Sequence, residues 1–195
     1  MSYMLKPRLL LTLLLGTLAS GSASGQSSSA DTQRILDSIT AKQPQLKAAD
    51  SAAARQRTAA GDRAYRRHQY GAAFQAYRDS YPNAASAYAY IMAGDAHWRE
   101  VLQHARKTPA GETCRLKNTY FVHDLSLDLS QNQQVGLALL DRHFPGSALE
   151  PGFVRHVREE TTCLQSMVEQ YGAAHAASCV DLQQLERCLG APLIQ

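Results

Sequence analysis

The spacing of apolar residues predicts a mostly helical chain. Ile35, Leu36 and Ile39 fall on one face of a helix that begins near residue 32, after a serine-rich stretch over 26–31 that is typical of a flexible leader. Proline and glycine interrupt the pattern near residues 44, 82, 109–111 and 145–146. The predicted later helices cover residues 46–68, 71–80, 84–106, 130–143, 152–171 and 182–189.

Several of the later helices carry signals for where they begin or end. Pro151 suits the first turn of a helix, Asp181 can cap the last helix, and Gly190 can stop it. Ser130 and Gln133 have the spacing of a capping box, which predicts that a helix opens there. The second half of the chain is therefore expected to be helical as well.

The first 25 residues have the features of an export signal. Lys6 and Arg8 precede an apolar stretch over residues 9–18, and small residues follow it. That stretch is shorter than the roughly 20 residues that span a bilayer. We therefore expect residues 1–25 to be a signal peptide and residues 26–195 to form one helical domain, periplasmic or secreted. A retained N-terminal membrane anchor is the alternative.

The charge of the mature chain argues against two classes of partner. The net charge of the whole chain is +3. It falls to about +1 after cleavage, because the leader contains Lys6 and Arg8 and no acidic residue. A nearly neutral chain lacks the basic footprint of proteins that bind nucleic acid or anionic membranes. We therefore expect neither as a partner.

A seven-residue pattern occurs twice, 33 residues apart. Residues 60–66 and 93–99 both read Ala-Gly-Asp-x-x-aromatic-Arg, and a period in the low thirties is that of stacked helix-pair repeats. Within the first unit, the small residues Gly61 and Ala73 and the aromatic residues Tyr70 and Tyr77 have the spacing of a tetratricopeptide repeat. Residues 54–106 resemble one such repeat and the first helix of another.

This resemblance implies antiparallel helix pairs, capped by a cysteine-containing helical region over residues 107–195. In that family the first helix of each repeat lines the ligand-facing surface. Because arginine and aromatic residues are typical interface anchors, we expect several of these side chains to be partly exposed and close together. By position, the implied partner-binding residues are Asp62, Tyr65, Arg66, Asp95, Trp98 and Arg99.

Two alternatives for this surface lead to different expectations. If Arg66 and Arg99 are anchors, replacing either with alanine leaves folding nearly intact and weakens partner capture by at least about 1 kcal/mol. If the surface is not used for binding, Tyr65 and Trp98 belong to the core and the arginines are solvated.

Cys114, Cys163, Cys179 and Cys188 predict two disulfides in an exported chain. Three pairings are possible. Cys163 and Cys188 are almost equally far from the predicted turn near residue 175, so they come level with each other in an antiparallel helix pair. This favours Cys163–Cys188 and leaves Cys114–Cys179.

The chain lacks recognisable catalytic and metal-binding motifs. It has no His-x3-His or His-Glu-x2-His pattern, nucleophile elbow, phosphate loop or dinucleotide fingerprint. We expect no catalytic residue, cofactor or metal, although His123 and Asp124 are the candidates for a hydrolase. Glu159 and Glu160 follow two arginines on a predicted helix, which predicts ion pairs on the helix surface.

Together these features predict an exported helical module that binds another protein. The alternative is a periplasmic immunity or inhibitor protein that occludes a cell-wall-degrading enzyme. Such proteins are often small, exported, helical and disulfide-linked, although no motif singles out this class.

Overall fold

A computed structural model describes residues 23–42, 48–84, 86–109, 114–126, 129–142, 148–173 and 178–195. The described part is mostly helical, as the sequence predicts, and it contains no helix long and apolar enough to cross a membrane. Most of the predicted signal peptide, residues 1–22, lies outside the described residues. The helices are α1 (Ala23–Lys42), α2 (Ala48–Arg66), α3 (Tyr70–Ala84), α4 (Ala87–Lys107), the short α5 (Asn118–Tyr120), α6 (Val135–Asp141), α7 (Pro151–Gly172) and α8 (Leu182–Leu189).

Local capping fixes the ends of α7 and α8. Pro151 is in the first turn of α7, where its missing N–H costs no hydrogen bond. The Asp181 carboxylate accepts a hydrogen bond from the Gln183 amide at 2.8 Å and so caps α8. The helix ends at Gly190, whose φ of 53° is costly for residues with a side chain. These predicted signals are confirmed.

Other predicted boundaries are wrong. Helix α1 begins at Ala23, so the stretch over 26–31 is helical rather than a flexible leader. The helical segment predicted to open at residue 130 is present, although its first turn, Leu129–Gln134, is π-helical and continues directly into α6. The side chain of Gln133 points inward and donates to Glu160 instead of completing a capping box.

The π-helical turn at Leu129–Gln134 packs closely against α4. A Cβ atom on Gly94 of α4 would lie 2.7 Å from Cγ of Gln133 and 3.2 Å from Cβ of Asn132. Gly94 is therefore required here because any side chain would displace the turn. A second π-helical turn, at Phe121–Leu125, follows α5.

Helices α2, α3 and α4 pack in succession around an aromatic cluster. Gly61 lies against Tyr77, and a Cβ atom at Gly61 would lie 2.6 Å from the Tyr77 ring. This contact fits the small and aromatic roles predicted for the two residues, while membership in the repeat family stays a prediction. The cluster consists of Tyr65, Tyr70, Ala73, Phe74, Tyr77, Met92, Ala93 and Ala96.

The structure pairs Cys163 with Cys188 and Cys114 with Cys179, as the hairpin argument predicted. The Cα atoms are 5.4 Å apart in each pair. The first disulfide joins α7 to α8, and the second ties the segment before α5 to the segment before α8. Both disulfides therefore fasten the second half of the chain around a core that includes Trp98, Phe121, Leu164, Tyr171 and Leu185.

Candidate functional site

The residues predicted to form a partner-binding surface are mostly buried. Tyr65, Asp95 and Trp98 are 0% exposed and Arg99 is 7% exposed. Only Arg66 is exposed. The expectation that Tyr65, Trp98 and Arg99 are partly exposed is therefore wrong. The two arginines at matching positions of the repeated pattern also differ, because Arg66 is exposed where Arg99 is buried.

The two aromatic residues of the repeated pattern belong to different parts of the core. Tyr65 is in the aromatic cluster of α2–α4, where its ring lies 5.2 Å from that of Tyr70. Trp98 packs against Phe121, with ring centroids 5.6 Å apart, in the core around the disulfide-linked helices. The prediction that these aromatics are core residues is confirmed. The accompanying prediction that the arginines are solvated is correct for Arg66 and wrong for Arg99.

Asp62 also forms hydrogen bonds with residues of its own chain. Its Oδ1 accepts hydrogen bonds from the hydroxyl groups of Tyr77 at 2.7 Å and Tyr88 at 2.8 Å. The two rings meet edge to face. Asp62 therefore ties α2 to α3 and α4 through its carboxylate.

Asp95 and Arg99, which lie one turn apart on α4, form a buried ion pair. Arg99 Nε donates to both carboxylate oxygens of Asp95, at 2.9 and 3.0 Å. The Tyr65 hydroxyl also donates to Asp95. Burial, and next the adjacent Asp95 charge, raise the pKa of Tyr65, so the phenol stays a neutral donor.

The other nitrogens of Arg99 cap the end of α8. They donate to the carbonyl oxygens of Leu189 at 2.7 Å, Ala191 at 2.9 Å and Gly190 at 3.3 Å. The last carbonyls of a helix lack partners within the helix and carry partial negative charge. A buried cation from α4 therefore satisfies them and fixes α8 to the repeat-like helices.

Glu160 of α7 adds a second carboxyl group to this buried set. It is 1% exposed and it accepts a hydrogen bond from the Gln133 side chain. Burial raises the pKa of Glu160 well above its usual range; the Asp95 charge adds to this and Arg99 opposes it. Arg99 forms its ion pair with Asp95, so a protonated, neutral Glu160 adds no unpaired charge to this buried set.

The prediction of a surface ion pair for Glu160 is therefore wrong. Arg158 instead pairs with Asp141 at 2.5 Å on the surface. The sequence did contain a signal, since residue 160 falls on the stripe formed by Val157, Leu164 and Met167, all of them buried. A carboxylate on an apolar stripe at helical spacing is a candidate for burial.

Replacing Glu160 with glutamine should flatten the pH dependence of stability. The folded protein holds a proton on Glu160 that the unfolded chain releases above about pH 4.5. The stability that Glu160 contributes is thus full below that pH and falls as pH rises through the raised folded pKa, by at most about 1.4 kcal/mol per pH unit. Urea unfolding of Glu160→Gln between pH 5 and 8 should show a smaller decline.

The neighbouring residue supplies the control for this prediction. Glu159 is exposed on the same helix, so Glu159→Gln should keep the wild-type decline in stability. If the stability of Glu160→Gln declined as steeply with pH as that of the wild type, the conclusion that the folded protein holds a proton on Glu160 would be wrong.

Residues 191–195, which we call the strap, follow α8 and lie against α2 and α4. The Leu193 amide donates to the Tyr65 hydroxyl at 3.1 Å, and Arg66 Nε donates to the main-chain oxygen of Gln195 at 2.8 Å. Leu193 and Ile194 are partly buried against the aromatic cluster of α2–α4. Tyr65, Arg66 and Arg99, predicted to bind a partner, thus all contact this chain's own strap or the end of α8.

An open cleft of about 420 Å³ lies beside the strap. Its walls come from three places in the chain. The turn between α2 and α3 provides His68 and Tyr70, and α8 with its end provides Glu186, Leu189 and Gly190. Helix α4 provides Arg99, Leu102, Gln103, Arg106 and Lys107.

Positive charge predominates in the cleft. Arg106 and Glu186 form an ion pair across it, which lowers the pKa of Glu186. Within the part of the chain that the structure describes, Lys107 has no ion-pair partner. His68, with a φ of 57°, bonds through Nδ1 to the Tyr70 hydroxyl at 2.8 Å. The rim therefore combines an unpaired cation with hydrogen-bonding groups.

Sequence reasoning identified Arg99 of this cleft and missed the rest. The missed residues are contributed by segments far apart in the chain, so only the packing of α8 against α4 brings them together. His123, named for a hydrolase, is exposed in the π-helical turn at Phe121–Leu125, and the side chain of Asp124 lies outside the described part. Over the described residues, no group of three or more His, Cys, Asp or Glu side chains is placed to hold a metal ion.

No protein-family model, curated protein or solved structure matches this chain. The functional argument therefore depends on the geometry of its own residues.

Proposed function

We propose that this protein is an exported helical module that binds another protein, and that the partner contacts the cleft between the α2–α3 turn, α4 and α8. The observation that supports this is the cleft itself, an open concavity with an unpaired cation on its rim. The sequence-predicted surface is a weaker candidate, because the protein's own strap and core occupy its anchors.

The lining of the cleft is suited to a partner segment that carries an acidic side chain. Tyr70 and Leu102 form part of the cleft lining although they are largely buried, while Lys107 and Arg106 stand exposed at the rim. A carboxylate placed there would receive charge-assisted hydrogen bonds, which are stronger than neutral ones. The mix of aromatic and cationic residues is also typical of interface anchors.

Export is supported by the cysteines and by the leader. Two disulfides in a chain of this size are consistent with an oxidising compartment. The basic start and short apolar stretch of residues 1–25 favour secretion over retention in the membrane. Mass spectrometry of the mature protein should find an N-terminus near residues 23–25 if this part is correct.

Site-specific crosslinking in the cells that make the protein tests the binding site. A photo-crosslinking residue at Gln103, in the cleft, should give an adduct with one partner of defined mass. The same residue at Gln165, exposed on α7, should give none. Lys107→Glu should lower the adduct yield about tenfold, because the new negative charge repels an acidic partner segment. Arg55→Glu, at an exposed position of α2, should leave the yield unchanged.

The result can contradict the proposal in a specific way. Equal adducts at Gln103 and Gln165, or none at either, would argue against the cleft as a binding site. If the partner is a cell-wall-degrading enzyme whose activity the protein blocks, the inhibitor alternative is supported instead of a scaffold.

A further inference from the structure

The strap is bound as a peptide ligand would be bound. Its contacts use main-chain groups. The Leu193 amide donates to the Tyr65 hydroxyl, the Ala191 carbonyl accepts from Arg99, and the Gln195 main-chain oxygen accepts from Arg66. Two consecutive aliphatic side chains, Leu193 and Ile194, add apolar contact. Such a set recognises the main chain of a short, bent segment together with aliphatic residues at fixed positions.

The apolar contacts of the strap come from more than one helix. Leu193 packs both against the aromatic cluster of α2–α4 and against a smaller cluster of Ile91, Leu137 and Val157. The face beneath the strap is thus built from α2, α3, α4, α6 and α7.

The strap can leave without moving α8. The Cys163–Cys188 disulfide and the Arg99 bonds to the carbonyls of Leu189 and Gly190 hold α8 in place. Gly190 ends the helix with a positive φ, so the chain changes direction where the strap begins. The strap is only partly buried, with Ala191 and Gln195 exposed. Its release therefore sacrifices few buried contacts compared with unfolding a helix.

We propose that the face beneath the strap is a docking site for a short partner segment that has the chemistry of the strap, a proline followed by two aliphatic residues. In the free protein the strap occupies this site, and a partner segment displaces it. The face beneath the strap shares Tyr70 and Arg99 with the cleft, but in the described part of the chain Lys107 and Arg106, the cations proposed to bind a partner there, do not contact the strap.

Peptide binding to a shortened chain tests the docking site. The probe is a fluorescein-labelled peptide with the sequence of residues 190–195, followed by polarisation. A chain ending at Gly190 should bind it at least about tenfold more tightly than the full chain, because its site is vacant. A peptide with aspartate at both aliphatic positions should not bind. A folded shortened chain that binds no better than the full chain would overturn the proposal.

Hydrogen exchange on the full chain tests whether the strap leaves its site, even if the shortened chain does not fold. The amide of Leu193 should exchange at least about tenfold faster than the amides of α8, since the strap opens without global unfolding. A saturating amount of the unlabelled peptide should raise its exchange rate further, by competing for the site. Equal exchange of Leu193 and α8, or no response to the peptide, would overturn the proposal.

Two neighbouring arginines supply the matched variants. Arg66 holds the main-chain oxygen of Gln195, so Arg66→Ala should speed exchange of the Leu193 amide by about twofold or more. Arg67, the next residue and equally exposed, is the control, and Arg67→Ala should leave that rate unchanged. Equal effects of both variants would contradict the role given to Arg66.

Discussion

Replacing Arg99 with methionine should lower the free energy of unfolding by about 3–5 kcal/mol. The substitution keeps the volume and removes the guanidinium that neutralises Asp95 in the core. It also leaves the last carbonyls of α8 without their donor. A buried carboxylate without a counter-charge is more costly than the loss of an average contact. Urea unfolding measured by circular dichroism gives the change directly.

The sequence-based expectation that Arg99 can be replaced with little effect on folding is thus reversed. Arg66→Met is the matched control, because Arg66 is exposed and should change stability by less than about 0.5 kcal/mol. Adding Asp95→Asn to Arg99→Met should recover at least about 1 kcal/mol, since it removes the unpaired charge. A loss below about 1 kcal/mol for Arg99→Met would mean that water reaches Asp95 and relieves it.

Removing the Cys163–Cys188 disulfide by a double alanine substitution should cost about 3.5 kcal/mol in the chain-entropy account of crosslinks. The bridged residues are 25 apart, so the crosslink restricts the unfolded chain considerably. Domains of this size are stable by only about 5–15 kcal/mol, so the transition midpoint should move by many degrees. Thermal unfolding, with non-reducing peptide mapping of the wild type, checks both the cost and the pairing.

The other disulfide gives an internal comparison. Cys114 and Cys179 are 65 residues apart, so removing this bridge should cost more, by about 0.8 kcal/mol. If removing Cys163–Cys188 were the costlier change, the effect would lie in the packing of α7 on α8 rather than in the unfolded chain. Peptides joining Cys163 to Cys179 would contradict the pairing itself.

The sequence by itself determined the features of this protein that depend on nearby residues. Pro151, Asp181 and Gly190 set helix ends because each acts within one turn of the backbone. The pairing of Cys163 with Cys188 was predictable because a helical hairpin fixes which positions come level. The resemblance to a tetratricopeptide repeat implied a small contact at Gly61 and a packing aromatic at Tyr77, and these two residues touch.

Only the tertiary structure decided which of the predicted faces water reaches. Tyr65 and Arg66 belong to a pattern that is repeated in the sequence. Whether their side chains are exposed depends on which other segments of the chain pack over them. A strap more than 120 residues further along the chain covers Tyr65, and the same folding brings the end of α8 onto Arg99. Contacts between residues so distant leave no periodic signal, because each side of the contact has a sequence suited to many partners.

The buried carboxyl group of Glu160 follows the same physical reasoning. Its position on an apolar stripe was visible in the sequence, but its neighbours Gln133 and Asp95 come from two other helical elements. Whether a glutamate on such a stripe stays charged on the surface or is buried and protonated depends on whether those partners are in place to satisfy it. The sequence therefore determined the helices and their crosslinks, and the packing between them decided where the charges lie.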